Sequence, residues 1–208
     1  MKPRNLPLLV ILLCIVMFSC NNEEQKTEAT ALSLENLIPK PVSVKPAEGS
    51  FEITSSTLLF AEDGSAESLR IGRYLADKLK PATGFDLRLG SAAGATNSIS
   101  LALVNDSSLT GEGYELKITP TGISINANKP AGVFYAVQTL RQLLPPAIEM
   151  KSVQPGPWQI AAVTIRDYPD YAMRGSMLDV ARHFFGVDDI KRYIDFLAYY
   201  KMKVWQDK

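Results

Sequence analysis

The stretch 174–204, "RGSMLDVARHFFGVDDIKRYIDFLAYYKMKV", contains the residue pattern that decides the fold. The short apolar run "GSMLDV" predicts a strand, and Asp188 and Asp189 suit the first turn of a helix because carboxylates favour the positive end of its dipole. Four apolar residues at helical spacing predict the buried face of that helix: Ile190, Ile194, Leu197 and Ala198. The last residues, "KMKVWQDK", are typical of the start of another strand. The stretch therefore predicts one βα unit with the next one beginning.

A single βα unit cannot be a complete domain, because it leaves an apolar helix face and a strand without partners. We therefore expect residues 167–208 to be the beginning of a second domain that the chain does not finish. No internal repeat is visible in the sequence.

A separate α/β domain is predicted over residues 34–166, with a mixed or antiparallel sheet and two helices. The runs "GYELKIT" and "GISINAN" alternate and are joined by Pro120, Thr121 and Gly122, which predicts a β-hairpin. The continuous run "ISLALV" predicts a strand that is covered on both sides. Further short strands are predicted at "FEIT", "TLLF", "FDLRLG" and "WQIAAVTI".

The two helices of this domain have recognisable ends. Ser65 is a plausible N-cap of the first helix, which Pro81 and Gly84 end. Pro130 begins the second helix, and Pro145 and Pro146 end it. Their predicted buried faces contain Leu69, Gly72, Leu75 and Leu79 in the first and Val133, Val137, Leu140 and Leu144 in the second.

The first 20 residues, "MKPRNLPLLVILLCIVMFSC", have the pattern of an export signal. Two basic residues precede an apolar run of about 13 residues, which is shorter than the roughly 20 that a membrane-spanning helix needs. Ser19 followed by Cys20 resembles a bacterial lipoprotein signal, so we expect lipidation of Cys20 and an exported protein anchored in a membrane, in the periplasm or at the outer-membrane surface. A plain cleaved signal peptide and an uncleaved anchor are the alternatives. Residues 21–33 are polar and acidic, which predicts a flexible tether.

The composition excludes several classes of function. The formal net charge is zero and 46% of the residues are apolar, as in ordinary globular proteins, so nothing indicates binding of nucleic acid. Cys14 lies in the leader, and lipidation of Cys20 would leave no cysteine pair for a disulfide or a metal. His183 is the only histidine, so neither a Ser-His-Asp set nor a histidine-rich metal site can be assembled. We expect no metal and no cofactor.

Two blocks of sequence, in this order, resemble a known family. The first contains "LIPKP", "GEGYELKIT" and "AGVFYAVQTLRQLL", and the second is "RDYPDYAMRGSMLDVARHFFGVDDIKRYIDFLAYYKMKV". They resemble the small N-terminal domain and the first strand and helix of the catalytic (β/α)₈ barrel of family 20 glycoside hydrolases, the β-N-acetylhexosaminidases. The resemblance covers Leu34 to Val204, which is nearly all of the chain after the leader and tether.

The resemblance implies removal of terminal N-acetylglucosamine or N-acetylgalactosamine by a substrate-assisted, retaining mechanism. In that mechanism the acetamido oxygen of the sugar attacks the anomeric carbon, while an adjacent Asp-Glu pair orients it and protonates the leaving group. In the 208 residues no aspartate is directly followed by a glutamate, and the histidine-bearing strand of the family is not matched after "YKMKV". We therefore expect the parent protein to be the hydrolase and this chain alone to be inactive.

The resemblance also assigns a binding residue. Arg182 follows the strand "SMLDV" and matches the family arginine that hydrogen-bonds hydroxyls of the terminal sugar, and Asp179 is expected to support it. Without the resemblance, an arginine three residues after an aspartate is more commonly half of a structural ion pair. His183, Phe184 and Phe185 are expected to pack or form structural hydrogen bonds rather than contact sugar.

Other charged and aromatic residues of the second block have structural interpretations. Arg174 is expected to be structural, and Trp205 to lie in the second barrel strand. The pairs Asp188 with Arg192 and Lys191 with Asp195 are one helical turn apart, as on a solvated helix face.

Two alternatives to the hexosaminidase remain open. One is a non-catalytic, surface-tethered lipoprotein that binds glycans or other partners through the small α/β domain alone. The other is a different glycosidase family that has such a domain, which the block "RGSMLDVARHFF" disfavours.

Overall fold

The computed structural model describes residues 34–61, 64–90 and 96–207. The predicted export signal, its Cys20 and the predicted tether lie outside the described residues. Within these ranges, none of the helices combines the length and the apolar character that crossing a membrane requires.

A seven-stranded mixed sheet forms the larger part of the fold and confirms the α/β class. Its strand order is β1-β7-β5-β6-β4-β2-β3, with antiparallel pairing from β1 to β6 along this order and parallel pairing from β6 to β3. The strands are β1 (Ser43–Glu52), β2 (Leu58–Ala61), β3 (Arg88–Gly90), β4 (Ser98–Leu103), β5 (Tyr114–Thr119), β6 (Gly122–Ala127) and β7 (Gln159–Asp167).

The predicted hairpin and the predicted central strand are both confirmed. β5 and β6 pair from Tyr114↔Ala127 to Thr119↔Gly122, so only Pro120 and Thr121 lie between the strands. Alternate residues of β5 are buried, as expected for a strand with one face on the core. In β4, by contrast, five successive residues are buried, so residues on both faces of that strand are shielded from solvent.

Two helices cover one face of the sheet. α1 (Ala66–Thr83) begins at Ser65, whose Oγ accepts a hydrogen bond from the backbone N–H of Ser68 at 3.1 Å, and it ends at Gly84 with a φ of 72°. α2 (Pro130–Leu143) begins with the predicted proline and ends just before the predicted Pro-Pro pair. Since α1 and α2 contact each other as well as the sheet, both lie on the same side of it.

The core of this domain lies between the sheet and the helix pair. Its fully buried side chains include Leu59, Leu75, Ile99, Leu101, Leu116, Ile125, Val137 and Leu140. Gly72 lets α1 approach β2 closely, because a Cβ there would lie 2.5 Å from Leu59 Cδ2. Gly132 has the same role in α2, where a Cβ would collide with the carbonyl oxygen of Gly113.

The second block forms the predicted strand-helix-strand unit. It consists of β8 (Gly175–Leu178), α3 (Val187–Tyr199) and β9 (Val204–Asp207), and β8 pairs in parallel with β9 from Gly175↔Val204 to Leu178↔Asp207. The prediction of a buried face on α3 is wrong for this chain, since no residue of α3 is buried and Ile194 is 43% exposed. A two-stranded sheet is too small to cover the helix that crosses it.

The other partner of α3 is the helix pair of the first domain, which covers it only in part. A groove of about 570 Å³ runs between them, with Tyr74 and Phe134 on the side of the first domain and Ile194 and Leu197 on the side of α3. Leu197 and Ala198 are therefore half-buried.

Candidate functional site

Arg182 lies beyond the carboxyl end of β8, in the turn before α3. Asp179 directly follows the strand, and its Oδ1 accepts hydrogen bonds from the backbone N–H groups of Ala181 at 3.0 Å and Arg182 at 3.1 Å. Its Oδ2 lies 3.3 Å from Nε of Arg182. One carboxylate thus holds both the backbone and the inner nitrogen of the arginine.

The outer part of the arginine faces solvent. The side chain of Arg182 is 84% exposed, and its two Nη atoms contact no polar group among the described residues. A guanidinium held at Nε retains the four N–H donors of its two Nη atoms, and the outer edge, with one N–H from each Nη, can engage two adjacent hydroxyls or a carboxylate. The ion-pair and ligand-contact interpretations of Arg182 are therefore compatible, and contact with substrate stays a prediction.

The residues after Arg182 do not pack as expected. His183 is exposed, and Phe184 is 94% exposed. The expectation that His183 and Phe184 are packed or hydrogen-bonded is wrong for this chain, because no described element covers that end of β8 and β9. Phe185 is at the border, with 36% of its surface exposed.

The charged face of α3 is solvated as predicted, although its predicted internal pairs do not form in the described part of the chain. Asp195 instead lies 3.1 Å from Nζ of Lys78 in α1. The guanidinium of Arg192 lies over the ring of Phe196, 5.5 Å from its centroid. The helix therefore directs one of its carboxylates toward the first domain.

The junction between the two parts of the fold contains a buried cluster around Lys201. Lys201 Nζ donates hydrogen bonds to the hydroxyl of Tyr114 and to Oδ2 of Asp167, each at 2.9 Å. The Tyr114 hydroxyl donates its proton to Asp167 Oδ2 at 2.9 Å, so the 2.6 Å contact with Thr139 has the threonine hydroxyl as donor. The side chains of Lys201 and Asp167 are only 7% and 10% exposed.

Burial dominates the electrostatics of this cluster. It lowers the pKa of Lys201 from its ordinary value, and the nearby Asp167 carboxylate opposes that shift. Burial also raises the pKa of Tyr114 well above its ordinary value, with the charge of Asp167 acting in the same direction. The tyrosine therefore stays protonated and available as a donor at neutral pH.

A second junction cluster surrounds Arg174, which precedes β8 and is structural as predicted. Its Nη2 donates to Glu112 Oε2 at 2.8 Å and to the hydroxyl of Tyr135 at 3.1 Å, and its Nε donates to the carbonyl of Lys201 at 3.0 Å. Lys203 donates through Nζ to the other oxygen of Glu112. The hydrogen bond from Lys203 lowers the pKa of Glu112, and Arg174 adds to that effect.

A third cluster joins α2 to the end of α3. The buried Arg141 makes a bidentate ion pair with Glu149, with Nη2 at 2.7 Å from Oε2 and Nε at 3.2 Å from Oε1. Its guanidinium carbon lies 5.0 Å from the ring centroid of Tyr199. Burial is the main cause that raises the pKa of Tyr199 to about 12, and the Glu149 carboxylate contributes.

These junction clusters are not predicted by the sequence patterns, although two of their residues occupy positions that indicate a buried polar group. Tyr114 occupies an inward position in the alternation of "GYELKIT", and Asp167 follows Ile165 at the inward spacing of two. A polar group at an inward position needs a buried partner. Local patterns could not name that partner, since Lys201 is 87 residues from Tyr114.

No metal site is formed by the part of the chain that the structure describes, since it contains no group of three or more His, Cys, Asp or Glu residues with suitable placement. The sequence-assigned residues Arg182 and Asp179 are brought together, as their spacing of three allows. Cys20 lies outside the described residues. The described site therefore offers one exposed guanidinium with a carboxylate beside it.

Comparison with known proteins identifies both parts of the fold. Residues 35–168 match the family profile described as "Glycosyl hydrolase family 20, domain 2", and residues 171–206 match "Glycosyl hydrolase family 20, catalytic domain". The first match alone covers more than half of the chain.

Individual relatives agree with the profiles. The chain is 37% identical to a beta-hexosaminidase of Porphyromonas gingivalis over 169 residues, which are 80% of this chain and 21% of that protein. It is 35% identical to a beta-N-acetylhexosaminidase of Cellulomonas fimi over 170 residues, which are 81% of this chain and 33% of that protein. The chain thus spans between a fifth and a third of the length of these relatives.

A solved structure shares the fold as well. It is a mutant beta-hexosaminidase of Streptomyces plicatus in complex with its product GlcNAc, with a TM-score of 0.78 and 49% sequence identity. The alignment covers 84% of this chain and 34% of that one.

Proposed function

The chain belongs to glycosyl hydrolase family 20, and from this premise we propose that it supplies the small domain and the first βα unit of a β-N-acetylhexosaminidase. The reaction proposed for the whole protein is exo-hydrolysis of terminal, non-reducing N-acetylglucosamine or N-acetylgalactosamine. The observation that carries the proposal is the match of both blocks, in order, to the two domains of one family.

Within that protein, we assign Arg182 to the binding of the terminal sugar. It lies at the carboxyl end of the first strand, and the active sites of (β/α)₈ barrels are built at the carboxyl ends of their strands. Asp179 lies 3.3 Å from its Nε, which leaves the two Nη atoms facing solvent. The outer edge of the guanidinium has one N–H from each Nη in a plane, which suits two neighbouring sugar hydroxyls, and a lysine could not bind them in the same geometry.

Bond cleavage requires groups that these 208 residues do not contain. The family mechanism uses an aspartate directly followed by a glutamate together with the acetamido oxygen of the substrate, and no aspartate of the sequence is directly followed by a glutamate. We therefore propose that the chain by itself does not turn over substrate, and that the full reaction belongs to a protein of the relatives' length.

The location of the protein is a further part of the proposal. We propose that Cys20 is lipidated and anchors the exported protein to a membrane, because a charged start and a short apolar run precede Ser19-Cys20. Metabolic labelling with a palmitate analogue tests this, and a Cys20→Ala variant should lose the label.

A chimera tests the hexosaminidase function. Residues 34–207 of this chain would replace the corresponding segment of the Porphyromonas gingivalis enzyme, and hydrolysis of a nitrophenyl N-acetylglucosaminide would be measured. We expect the chimera to be active and Arg182→Ala to lower kcat/KM roughly 10- to 100-fold, the loss of one or two hydrogen bonds to a charged group. Asp179→Asn should lose less, because the sugar contacts of Arg182 remain possible.

Arg192→Ala is the matched control, since it removes an exposed arginine of α3 from the same unit and should leave kcat/KM unchanged. An Arg182→Ala chimera that is as active as its parent would contradict the binding role. Release of nitrophenol by the purified 208-residue chain would contradict the proposal that it is inactive alone. Glycan binding by residues 34–167 alone, without an active chimera, would favour the non-catalytic binding module.

A further inference from the structure

Lys201 has an unusual backbone for its residue type. It directly follows the helix cap Tyr200 and has a φ of 60°, in the left-handed region that is unfavourable for residues with a side chain. Glycine is the common residue where a helix ends in this conformation. The backbone conformation alone therefore favours glycine at position 201. We ask which contacts of the lysine side chain offset this cost.

The side chain provides that explanation. Lys201 crosses from the end of α3 into the first domain, where its amine contacts residues of β5 and β7 and lies in the cluster with Thr139 of α2. These contacts are among groups that are almost fully buried, where an ammonium and a carboxylate must satisfy each other. The strained backbone and the buried contact are two independent observations on one residue.

The peptide of Lys201 is tied to the start of β8. Its carbonyl accepts a hydrogen bond from Nε of Arg174, and the backbone N–H of Lys203 donates to the carbonyl of Arg174 at 2.8 Å. Arg174 and Lys203 immediately precede β8 and β9, and both hold Glu112 of the first domain. The amino ends of the two paired strands are thus fixed through one set of contacts.

The opposite end of β8 carries Asp179 and Arg182. A four-residue strand is about 13 Å long and behaves as a rigid element, so fixing its amino end sets the direction in which its carboxyl end points. We propose that Lys201 is a positioning residue, through which the first domain orients β8 and thereby places Arg182. The orientation of β8 is argued from contacts within this chain. The effect of that orientation on sugar binding rests on the proposed function.

Hydrogen exchange of the 208-residue chain tests the placement of the strand. In Lys201→Gly we expect the amides of β8 and β9 to exchange at least about tenfold faster, because the buried Asp167 and Tyr114 lose their partner, while amides of β4 are unchanged. If Lys201 served only as a helix cap, glycine would be the better residue and protection would be equal or greater. Equal protection, or loss of protection in β4 as well, would overturn the proposal.

Lys191→Met and the double variant Asp167→Asn with Lys201→Gly serve as controls. Lys191 is exposed on α3, so its loss should not change exchange in β8. The double variant should recover part of the protection, because removing both charges leaves no unpaired buried carboxylate. A double variant that exchanges faster than Lys201→Gly would contradict the assigned pairing.

The chimera tests whether the effect passes through Arg182. We expect Lys201→Gly to raise KM several-fold with a smaller change in kcat, and Lys201→Gly with Arg182→Ala to be no worse than Arg182→Ala alone. Additive losses would show that Lys201 does not act through Arg182. If exchange changes as expected while Arg182→Ala leaves the chimera fully active, the placement of the strand stands and the proposed sugar-binding role fails.

Discussion

The seven-stranded domain and the β8-α3-β9 unit differ in what covers their apolar residues. α1 and α3 both have apolar residues on one face, yet seven residues of α1 are buried and none of α3 is. α1 packs against the seven-stranded sheet and against α2. α3, by contrast, has the two-stranded β8-β9 sheet beside it and lines one side of the groove. The burial of a helix face is thus decided by its neighbours as much as by its own residues.

The two regions are consequently held by different forces. The first has a continuous apolar core that includes Leu59, Leu101, Leu116 and Ile125. The second is attached through polar contacts around Lys201 and Arg174, at the amino ends of its strands, and through the contact of Arg141 with Tyr199 at the end of α3. Three cations of the second region contact two carboxylates of the first, Asp167 and Glu112.

The largest effect is expected from a matched pair of leucine truncations. Leu75→Ala in α1 should lower the free energy of unfolding by about 2–5 kcal/mol, because its side chain is fully buried and leaves a cavity. Leu197→Ala in α3 should lower it by less than about 1 kcal/mol, since that side chain is only half-buried. Urea unfolding followed by circular dichroism gives both values.

Equal losses for the two leucines would break the comparison, because they would show that α3 shares the core of the first domain. Leu69→Ala is the control, because it removes the same side chain from α1 at a half-buried position. It should lower the free energy of unfolding by about as little as Leu197→Ala does.

The sequence predicted the elements of both regions because their signals are local. The alternation of β5 and β6, the cap at Ser65 and the prolines around α2 each act within a few residues. Asp179 and Arg182 are only three residues apart, so their contact is also a local feature. Local patterns therefore gave the strands, the helices and the one site pair that is adjacent in sequence.

What the sequence could not predict depends on distant partners. The burial of Lys201 requires β5 and β7, and its left-handed backbone is stabilised by a contact 34 residues away. The exposure of Ile194 and Phe184 follows from the neighbours that the described fold provides, which periodicity does not record. Periodicity shows which face of a helix is apolar and leaves open what will cover it.

Acid should weaken the attachment of the second region before it affects the core of the first. The pKa of Glu112 is lowered in the folded chain, chiefly by Lys203, so its contribution is fully present above the ordinary value of 4.5 and is lost as pH falls through the folded value. At pH 7 the Glu112→Gln variant should therefore be less protected in β8 by about 1–2 kcal/mol, and the difference should shrink as the pH falls below the ordinary value of 4.5.

Hydrogen exchange of the wild-type chain and the variant at several pH values measures this difference. Glu115→Gln is the control, because Glu115 lies in the same domain and interacts with Arg166, not with the second region. A difference between wild type and Glu112→Gln that stays constant with pH would show that the Glu112 carboxylate does not hold the unit.

The smallest effect is expected where the two regions meet at the surface. Asp195 of α3 and Lys78 of α1 form an ion pair whose side chains are 60% and 30% exposed, so Asp195→Asn should change stability by less than about 0.5 kcal/mol. The change should disappear at high salt, because mobile ions screen exposed charges. Asp77→Asn removes the same charge from α1 and is the control. If Asp195→Asn instead weakened the attachment of α3 as strongly as Lys201→Gly does, contacts along the helix would hold the second region as firmly as the contacts at the strand ends.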